Sequence, residues 1–336
     1  MKITLTGATG FVGSNLAAYL KTSHEVFSMS VRYKTHQELK LNGDAIVHLA
    51  GKAHDLKKVS RPQEYYEANF ELTKQLFDVF LLSEARVFIF MSTVKAAADQ
   101  VEGVLTEEGV LNSKRITAKT QGREGLSIAL EGTGGGISNF ENPNSKEEPT
   151  EPKTHYGIAK QMAEQYILSQ ELPEGKRVYI LRPCMIHGPG NKGNLNLLYQ
   201  LVAKGLPWPL GAFENQRSFL SIENLCFVIK ELLENEAIPS GVYNVADDAS
   251  LSTNELIQLL GESLGKSVSI WNWSQNVISS LAKIGDVLPL PLNSERLQKL
   301  TESYVVSNEK IVKSMGKSLP VSSREGLRRT FESFRG

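Results

Sequence analysis

The chain has 336 residues, which suits one large domain or two closely joined ones, because single cores rarely exceed about 250–300 residues. It is 41% hydrophobic and 22% charged, a balance that excludes wholesale disorder. Lys and Arg number 37, as do Asp and Glu, and this neutrality argues against a nucleic-acid clamp or a polybasic membrane binder. Two cysteines exclude a disulfide framework and indicate a reducing compartment. Without a membrane-length apolar run or a signal core, we expect a cytoplasmic protein without membrane insertion.

The predicted elements alternate between strands and helices along the first part of the chain. Short β-branched or aromatic runs predict strands at 2–6, 25–30, 44–49, 86–91 and 177–181, and helical patterns occupy 11–20, 62–82 and 156–169. This alternation predicts an α/β fold, a doubly wound parallel-sheet Rossmann domain with a smaller C-terminal substrate lobe. The stretch between the second and third strands is so short that its crossover helix is shortened or missing.

We divide the chain into a Rossmann domain at 1–183 and a region at 184–336 that is mainly the smaller lobe. A later strand at 241–246 is expected to return to the first sheet. Residues 109–150 are rich in Gly, Ser, Asn, Glu and Lys, which predicts a polar insertion that loops out of the domain. Ser252 with Glu255, and Ser322 with Glu325, have the spacing of capping boxes that begin two late helices.

A glycine-rich loop follows the first strand directly. It reads Gly7-Ala8-Thr9-Gly10-Phe11-Val12-Gly13 and begins the first helix. Glycine allows positive φ in the turn, close approach of a pyrophosphate to the backbone, and tight packing of helix on strand. The free N–H groups at the helix N-terminus favour phosphate. In this position the loop predicts a dinucleotide site.

The end of the second strand indicates which dinucleotide is bound. An acid commonly stands there to bond the ribose hydroxyls of NAD, but this chain has Ser30-Val31-Arg32. A hydroxyl and a guanidinium suit a ribose 2′-phosphate. We therefore expect NADP, with NAD as the alternative, and a merely solvated Arg32 as the competing interpretation.

A tyrosine and a lysine lie one helical turn apart at Tyr156 and Lys160. A nearby ammonium group favours a phenolate, so the pair predicts an acid/base catalyst with a lowered tyrosine pKa. Ser92 and Thr93 follow the buried strand 86–91, at the sheet edge where α/β ligands bind. No histidine shows metal-ligand spacing, and no metal is expected.

In this order, TGATGFVG, His48-Leu49-Ala50-Gly51, Asn69, Met91-Ser92-Thr93, the Tyr156/Lys160 pair and Leu181-Arg182-Pro183 resemble the extended short-chain dehydrogenase/reductase family, in its nucleotide-sugar epimerase/dehydratase branch. The resemblance covers nearly the whole chain. It implies an NAD(P)-dependent nucleotide-sugar enzyme of polysaccharide biosynthesis that is an isomerase or an oxidoreductase.

The resemblance also implies roles for single residues. Thr93, Tyr156 and Lys160 would be catalytic. The implied cofactor-binding residues are Gly7, Thr9, Gly10, Phe11, Val12, Gly13, Ser30, Arg32, Leu49, Ala50, Gly51, Asn69, Ser92, Tyr156, Lys160 and Pro183. Thr93, Asn194 and Arg217 would bind the substrate, with Arg217 on its diphosphate.

Two departures from the family pattern narrow the function. Thr93 and Tyr156 are unusually far apart, by about the length of the polar insertion. Val94-Lys95 stands where sugar 4,6-dehydratases carry an Asp-Glu pair, which argues against dehydration.

We favour a 4-epimerase that transfers hydride at C4 of a nucleotide-activated hexose through a 4-keto intermediate. An NADPH-dependent 4-keto-sugar reductase is the alternative, and a non-catalytic NADP-binding regulatory protein is the rival of another class.

A homodimer is the expected quaternary structure. Relatives commonly dimerise through the helices that correspond to 62–82 and 156–169. The first of these carries apolar residues in excess of one core-facing stripe, namely Phe77, Phe80, Leu81 and Leu82.

Overall fold

The computed structural model describes residues 1–35, 39–53, 61–111, 152–191, 194–288 and 292–335. Its strands in chain order are β1 (Lys2–Thr6), β2 (Glu25–Met29), β3 (Ala45–His48), β4 (Val87–Met91), β5 (Val104–Thr106), β6 (Gly109–Leu111), β7 (Arg177–Pro183), β8 (Met185–His187), β9 (Phe219–Ser221), β10 (Gly241–Val245) and β11 (Val305–Val306).

The helices alternate with these strands in the first half and dominate the second half. In chain order they are α1 (Phe11–Leu20), α2 (Pro62–Tyr66), α3 (Leu72–Leu82), α4 (His155–Ser169), α5 (Asn194–Ala203), α6 (Ile222–Glu234), α7 (Thr253–Leu264), α8 (Gln275–Val287), α9 (Ser294–Thr301), α10 (Glu309–Met315) and α11 (Ser323–Glu332). Within the described ranges, no helix is long and apolar enough to span a bilayer.

A six-stranded parallel sheet forms the centre of the molecule, in the order β10-β7-β4-β3-β1-β2. This confirms the predicted Rossmann architecture, including the return of the strand near 241–246 to the sheet. β4 is buried along its whole length, as its continuous apolar run predicts. Since the chain order reverses between β1 and β3, a crevice is expected at their carboxyl ends.

Three local predictions require correction or completion. The predicted helix at 62–82 is interrupted, because Glu67–Glu71 forms a π-helical turn between α2 and α3. The predicted insertion begins later than 109, since Gly109–Leu111 pairs antiparallel with β5 as β6. The rest of that segment, 112–150, lies outside the described residues. Between β2 and β3, residues 30–35 and 39–44 contain no helix, which agrees with a shortened or missing crossover helix.

Both predicted caps are present. Ser252 and Glu255 bond reciprocally in a capping box at the start of α7, and the Ser322 hydroxyl accepts from the Glu325 N–H at the start of α11. Each hydroxyl satisfies a backbone donor that would otherwise lack an intrahelical partner. These two helices pack on each other in the C-terminal half.

Apolar residues cover both faces of the sheet and form a separate cluster in the C-terminal half. One face packs against α1 and α6 through Leu16 and Leu225, and the other face packs against α3 and α4 through Phe77 and Ile167. Phe77 and Phe80 are fully buried in this core, so the prediction that they are surplus apolar residues is wrong. Leu82, in contrast, is 90% exposed.

Tyr304 ties the C-terminal half to the turn that follows β4. Its ring is buried, and its hydroxyl lies 2.6 Å from the Ala98 carbonyl oxygen and 3.1 Å from that of Val94. β11 follows directly and pairs with β5 in a second, three-stranded sheet. The chain beyond 300 therefore helps to fix the segment just after Thr93.

Tyr304→Phe is expected to lower the free energy of unfolding by about 1–3 kcal/mol, because two buried carbonyl groups lose their shared hydroxyl partner. Urea unfolding measures this loss. Tyr199→Phe is the control, since the Tyr199 ring contacts Phe334 and its hydroxyl has no hydrogen bond within the described ranges. Equal losses in the two variants would contradict a specific role for the Tyr304 hydroxyl.

Candidate functional site

The glycine loop after β1 forms a cradle that side chains would fill. Gly7 has φ +69°, and a Cβ there would lie 2.8 Å from the Ala50 nitrogen. A Cβ on Gly13 would lie 2.2 Å from the Gly7 carbonyl oxygen. Gly10 begins α1 with no side-chain cap, which leaves the helix N-terminus free for an anion. These features fit a dinucleotide pyrophosphate.

The other predicted residues of this loop lie where they could support such a ligand. Thr9 is exposed, while Phe11 and Val12 are half-buried and pack against the main core. Phe11 and Val12 therefore fix the first turn of α1. The backbone of this turn, and the Thr9 side chain, remain the parts available to a ligand.

Ser30 and Arg32 follow β2 at the same edge of the sheet. β2 pairs with β1, and Thr6 lies opposite Met29, so the end of β2 stands beside the glycine loop. Both Ser30 and Arg32 are exposed, and the described residues offer Arg32 no ion pair or side-chain hydrogen bond. The guanidinium is thus available to a ligand at this edge.

The segment after β3 forms another wall of the crevice. Leu49 and Ala50 are half-buried, and Ala50 N donates to the Thr6 hydroxyl at 3.1 Å. Asn69 is buried in the π-helical turn and bonds both backbone groups of Lys52 at 3.0 Å. The Asn69 amide therefore holds the chain around Gly51. A Cβ on Gly51 would lie 2.6 Å from the Oδ1 atom of Asn69.

Thr93 and Tyr156 are brought together across the long intervening sequence. Thr93 is buried at the end of β4, and a side-chain hydrogen bond links it to Tyr156 near the start of α4. The Thr154 hydroxyl caps α4 by accepting from the Gly157 N–H at 3.1 Å. Gly157 is necessary here, because a Cβ would lie 2.7 Å from the Lys95 carbonyl oxygen.

Lys160 points into the crevice from the next turn of α4. Its Nζ donates to the Met91 carbonyl oxygen at 2.7 Å and lies 4.5 Å from the centre of the Phe90 ring. A Cβ on Gly51 would lie 3.3 Å from the same Nζ, so the ammonium borders the wall after β3. Burial lowers the pKa of Lys160 to about 7, although the Glu164 carboxylate raises it.

The tyrosine pKa differs from the sequence expectation. Burial raises the pKa of Tyr156 to about 12, and the hydrogen bond from Thr93 only partly opposes this. Lys160 does not provide the expected lowering, because its ammonium bonds the Met91 carbonyl oxygen and is itself costly to keep charged. The protein alone thus holds a protonated tyrosine.

A buried ion pair beneath these residues was not singled out from the sequence. Glu164 accepts hydrogen bonds from the Ser92 hydroxyl and from the guanidinium of Arg182, whose Nε lies 3.0 Å from both carboxylate oxygens. The Ser92 hydroxyl, predicted to face the cofactor, is therefore engaged with Glu164. The available signals were Arg182 in Leu181-Arg182-Pro183 and an acid one turn after Lys160.

The remaining predicted site residues come from the part of the chain after β7 begins. Pro183, predicted beside the cofactor, is the buried last residue of β7. Arg217 is fixed by backbone pairing with Leu251 and Tyr304. Asn194 begins α5, and its side chain lies outside the described part of the structure.

Arg217 shares a carboxylate with a second cation. One oxygen of Glu302 lies 3.9 Å from Arg217 and 3.8 Å from the Nζ of Lys95. Lys95 also stacks over the Tyr304 ring, 4.3 Å from its centre. Lys95 donates to the Asp99 carbonyl oxygen, and Arg217 donates to that of Lys299. Two cations held in this way form a suitable environment for an anionic group. Among the described residues, no group of three or more His, Cys, Asp or Glu is arranged to hold a metal.

The low pKa of Lys160 predicts a pH-dependent stability. Between its folded pKa of about 7 and its ordinary value of 10.5, the unfolded chain binds the proton more strongly. The free energy of unfolding of the cofactor-free protein should therefore rise with pH over this window, by up to about 1.4 kcal/mol per pH unit. Urea unfolding from pH 7 to 10 measures the rise.

Lys160→Met should lack this component and have a flatter pH profile. Lys74→Met is the control, because Lys74 lies on α3 and stacks over the Tyr166 ring instead. Parallel profiles for wild type and Lys160→Met would contradict the lowered pKa.

Comparison with known proteins agrees with this geometry. A model of the NAD dependent epimerase/dehydratase family matches residues 3–116 and 132–246. A UDP-glucose 4-epimerase of Vibrio cholerae is 27% identical and covers 99% of this chain and 95% of its own. An N-acetyl-alpha-D-glucosaminyl-diphospho-ditrans,octacis-undecaprenol 4-epimerase of Escherichia coli O157:H7 is 25% identical, with shares of 98% and 94%.

Solved structures show the same fold over the whole chain. The UDP-glucuronic acid 4-epimerase from Bacillus cereus, in complex with NAD, has a TM-score of 0.66 at 18% identity and covers 100% of this chain and 99% of its own. RMD from Pseudomonas aeruginosa, complexed with NADPH, has a TM-score of 0.65 at 20% identity and covers 100% of both chains. With the family match over most of its length, this chain belongs to the NAD dependent epimerase/dehydratase family.

Proposed function

We propose that this protein is a nucleotide-sugar 4-epimerase, which inverts C4 of a nucleotide-diphosphate hexose through a 4-keto intermediate. The observation that carries the proposal is the hydrogen-bonded Thr93–Tyr156 pair, with Lys160 one turn away, beside the glycine cradle. Such an arrangement would bring a proton-transfer group next to a bound hydride carrier. The similarity to two 4-epimerases over nearly the whole chain supports the same reading.

The glycine loop and the start of α1 would hold the pyrophosphate, and Lys160 would bond the nicotinamide ribose. When bound in its oxidised form, nicotinamide supplies a hydride acceptor and a positive charge beside the phenol. Tyr156 takes the proton from O4 as C4 is oxidised and returns it after the keto sugar has turned over. Thr93 orients O4 and stabilises the developing charge by hydrogen bonding.

The raised pKa of Tyr156 fits this role once the ligands are in place. A base with a pKa of about 12 is protonated at neutral pH, and it needs positive charge nearby to act. A protonated Lys160 and an oxidised nicotinamide provide that charge together. Tyr156 would therefore be activated only when cofactor and substrate are bound.

Arg217 and Lys95 would bind the diphosphate of the substrate. Burial lowers the pKa of both groups, and the carboxylate of Glu302 raises it. A diphosphate offers more negative charge than the single carboxylate that now lies between them, so it would replace Glu302 as their partner. Asn194 at the start of α5 is a further candidate contact with the substrate.

The experiment that tests the function separates the three readings. Purified protein is incubated with UDP-glucose or UDP-N-acetylglucosamine and a catalytic amount of NADP or NAD, and the products are analysed by NMR. An epimerase forms the C4 epimer without net consumption of cofactor. A 4-keto-sugar reductase consumes NADPH stoichiometrically and only with a 4-keto sugar, while a non-catalytic NADP-binding regulator does neither.

A second candidate substrate is a sugar carried on a polyprenyl diphosphate. The Escherichia coli relative bears the name of an enzyme that acts on such a molecule, and this chain exposes a continuous apolar stripe on α8. The diphosphate and the hexose are shared by both substrate classes. The same catalytic residues would therefore serve either carrier.

Tyr156→Phe should lower turnover by about 10²–10⁴-fold, because it removes the positioned proton-transfer group and little else. Cofactor affinity and thermal stability should stay close to wild type. Thr93→Ala should be milder, since one hydrogen bond is worth about 1–3 kcal/mol. Steady-state kinetics on the confirmed substrate measure both, and full turnover in Tyr156→Phe would refute the catalytic assignment.

Arg32→Ala should weaken NADPH binding by roughly tenfold or more and leave NADH binding unchanged, because a charge-assisted bond to the 2′-phosphate is lost. Calorimetric titration of both cofactors measures the ratio. Lys21→Ala is the control, because this exposed lysine lies at the other end of α1. Equal wild-type affinity for NADPH and NADH would instead favour NAD as the cofactor.

Further proposals concern the quaternary structure, the domain division and the cellular location of the protein. We propose a homodimer formed by α3 and α4, where Leu82 and Leu168 are exposed, and a dimeric mass in light scattering at micromolar concentration is expected. We retain the division into 1–183 and 184–336, with β10 in the first domain. Cys184 and Cys226 are free and buried, which fits a cytoplasmic protein.

A further inference from the structure

The stretch from Lys266 to Lys283 contains no other charged residue and precedes further apolar sequence. Residues 270–273 form an extended segment, in which Ile270 and Asn272 pair through their backbones with Trp208 and Leu210. Ile270 packs inward and Trp271 and Trp273 are 46% and 43% exposed. The two indole rings stack on each other, with centres 6.0 Å apart and planes 11° from parallel. Two stacked, exposed tryptophans leave an unusually large contiguous apolar surface in contact with water.

Helix α8 begins at Gln275, two residues after Trp273, and carries two apolar stripes. Ile278, Ala282 and Gly285 form the inner stripe, and a Cβ on Gly285 would lie 1.9 Å from the Leu292 carbonyl oxygen. Val277, Leu281, Ile284 and Leu288 form an outer stripe at helical spacing and are all exposed. The inner stripe packs the helix on the protein, and hydrogen bonds from Gln275 to the Ala212 carbonyl oxygen and from Ser294 to Asp286 add to this attachment.

We propose that Trp271, Trp273 and the outer stripe of α8, together the apolar patch, dock on the surface of an anionic lipid bilayer. Tryptophan favours the boundary between headgroups and acyl chains, where its ring is buried and its N–H stays hydrated. An amphipathic helix beside it can lie in the same plane without crossing the membrane. Burial of the six side chains there removes the exposed apolar surface.

Lysines surround the apolar patch and suit an anionic surface. Lys283 lies on the polar side of α8. Lys266 donates to the carbonyl oxygen of Ala203, and a third lysine, Lys204, follows Ala203 in the chain. The acid on this helix, Asp286, accepts hydrogen bonds from the backbone and hydroxyl of Ser294 and keeps its negative charge, so Lys266, Lys283 and Asp286 together leave a net positive charge of one around the patch. Long lysine side chains can reach headgroup phosphates while the apolar patch is buried.

A bilayer is favoured over a second copy of the chain as the occupant. The exposed apolar residues proposed for the dimer, Leu82 and Leu168, lie on α3 and α4 in the other half of the molecule. Docking would also bring the protein to the membrane, where a sugar carried on a lipid diphosphate is held. Only this consequence rests on the proposed function, because docking itself depends on the apolar patch alone.

The test is co-sedimentation of the full-length protein with vesicles of phosphatidylcholine, with and without phosphatidylglycerol. We expect binding that is stronger with phosphatidylglycerol and weaker in high salt. We also expect a blue shift of tryptophan fluorescence, since two of the three tryptophans lie in the patch. Lys266→Gln/Lys283→Gln should weaken binding only to the anionic vesicles.

Leu281→Gln/Ile284→Gln should lower vesicle binding by roughly tenfold or more, since two apolar side chains leave the interface. Tyr19→Gln/Phe27→Gln is the matched control, because these apolar residues outside the patch are 37% and 46% exposed, close to the 40% and 48% of Leu281 and Ile284. Turnover of a soluble nucleotide sugar should be unchanged in both, so failure of docking is separable from failure of the proposed function.

Three outcomes would overturn the proposal. One is the absence of vesicle binding by the wild type, and another is equal loss in the patch variant and its control. The third is a fall in solution mass for Leu281→Gln/Ile284→Gln without vesicles, which would make the apolar patch an interface between copies of this chain.

Discussion

The carboxylate of Glu164 is the contact on which the site depends. It joins helix α4, which carries Tyr156 and Lys160, to the ends of two neighbouring strands, through Ser92 after β4 and Arg182 on β7. Thr93 follows Ser92, and Lys160 precedes Glu164 by one turn, so a single buried group fixes both in relation to each other. Removing one partner of such a pair typically costs about 3–5 kcal/mol, because an unpaired charge stays buried. The position of the reacting groups is therefore set by the same interaction that holds the sheet to the helix.

Burial sets the electrostatic state of the site more than neighbouring charges do. It raises the pKa of Tyr156 to about 12, lowers that of Lys160 to about 7, and, with a smaller contribution from Lys160, lowers that of His48 to about 3. Each group is thus biased towards its neutral form in the protein alone. His48 fulfils a structural role in that form, with hydroxyls of Thr6 and Thr73 at 2.8 and 3.0 Å. In the proposed reaction, Tyr156 and Lys160 would need the charge of bound ligands to leave this neutral bias.

The sequence predicted the features that arise from local constraints. The glycine loop and the six strands follow from spacing, φ requirements and continuous apolar runs, and the structure contains all of them. The π-helical turn around Asn69 was missed because it places the amide against Lys52, a tertiary contact without a local pattern. The Glu302 carboxylate between Lys95 and Arg217 was missed for the same reason, since the three residues come from distant parts of the chain. The prediction for Phe77 and Phe80 was wrong for another reason. It counted the apolar residues on one helix and did not consider how many of them pack into the core against the sheet.

The long separation between Thr93 and Tyr156 is compatible with an intact site for an energetic reason. The entropy cost of closing a flexible connection grows slowly with its length, by about 0.6 kcal/mol for each doubling. The contacts that oppose this cost lie at both ends of the connection: Ser92 bonds Glu164, Lys160 bonds the Met91 carbonyl oxygen, and the helix start at Gly157 lies against Lys95. Because a typical intramolecular hydrogen bond contributes about 0.5–1.5 kcal/mol, these contacts together exceed that increment, and the added length changes the stability of the site little. The chain can therefore carry extra sequence between Thr93 and Tyr156 while the contacts at both ends keep the two residues together.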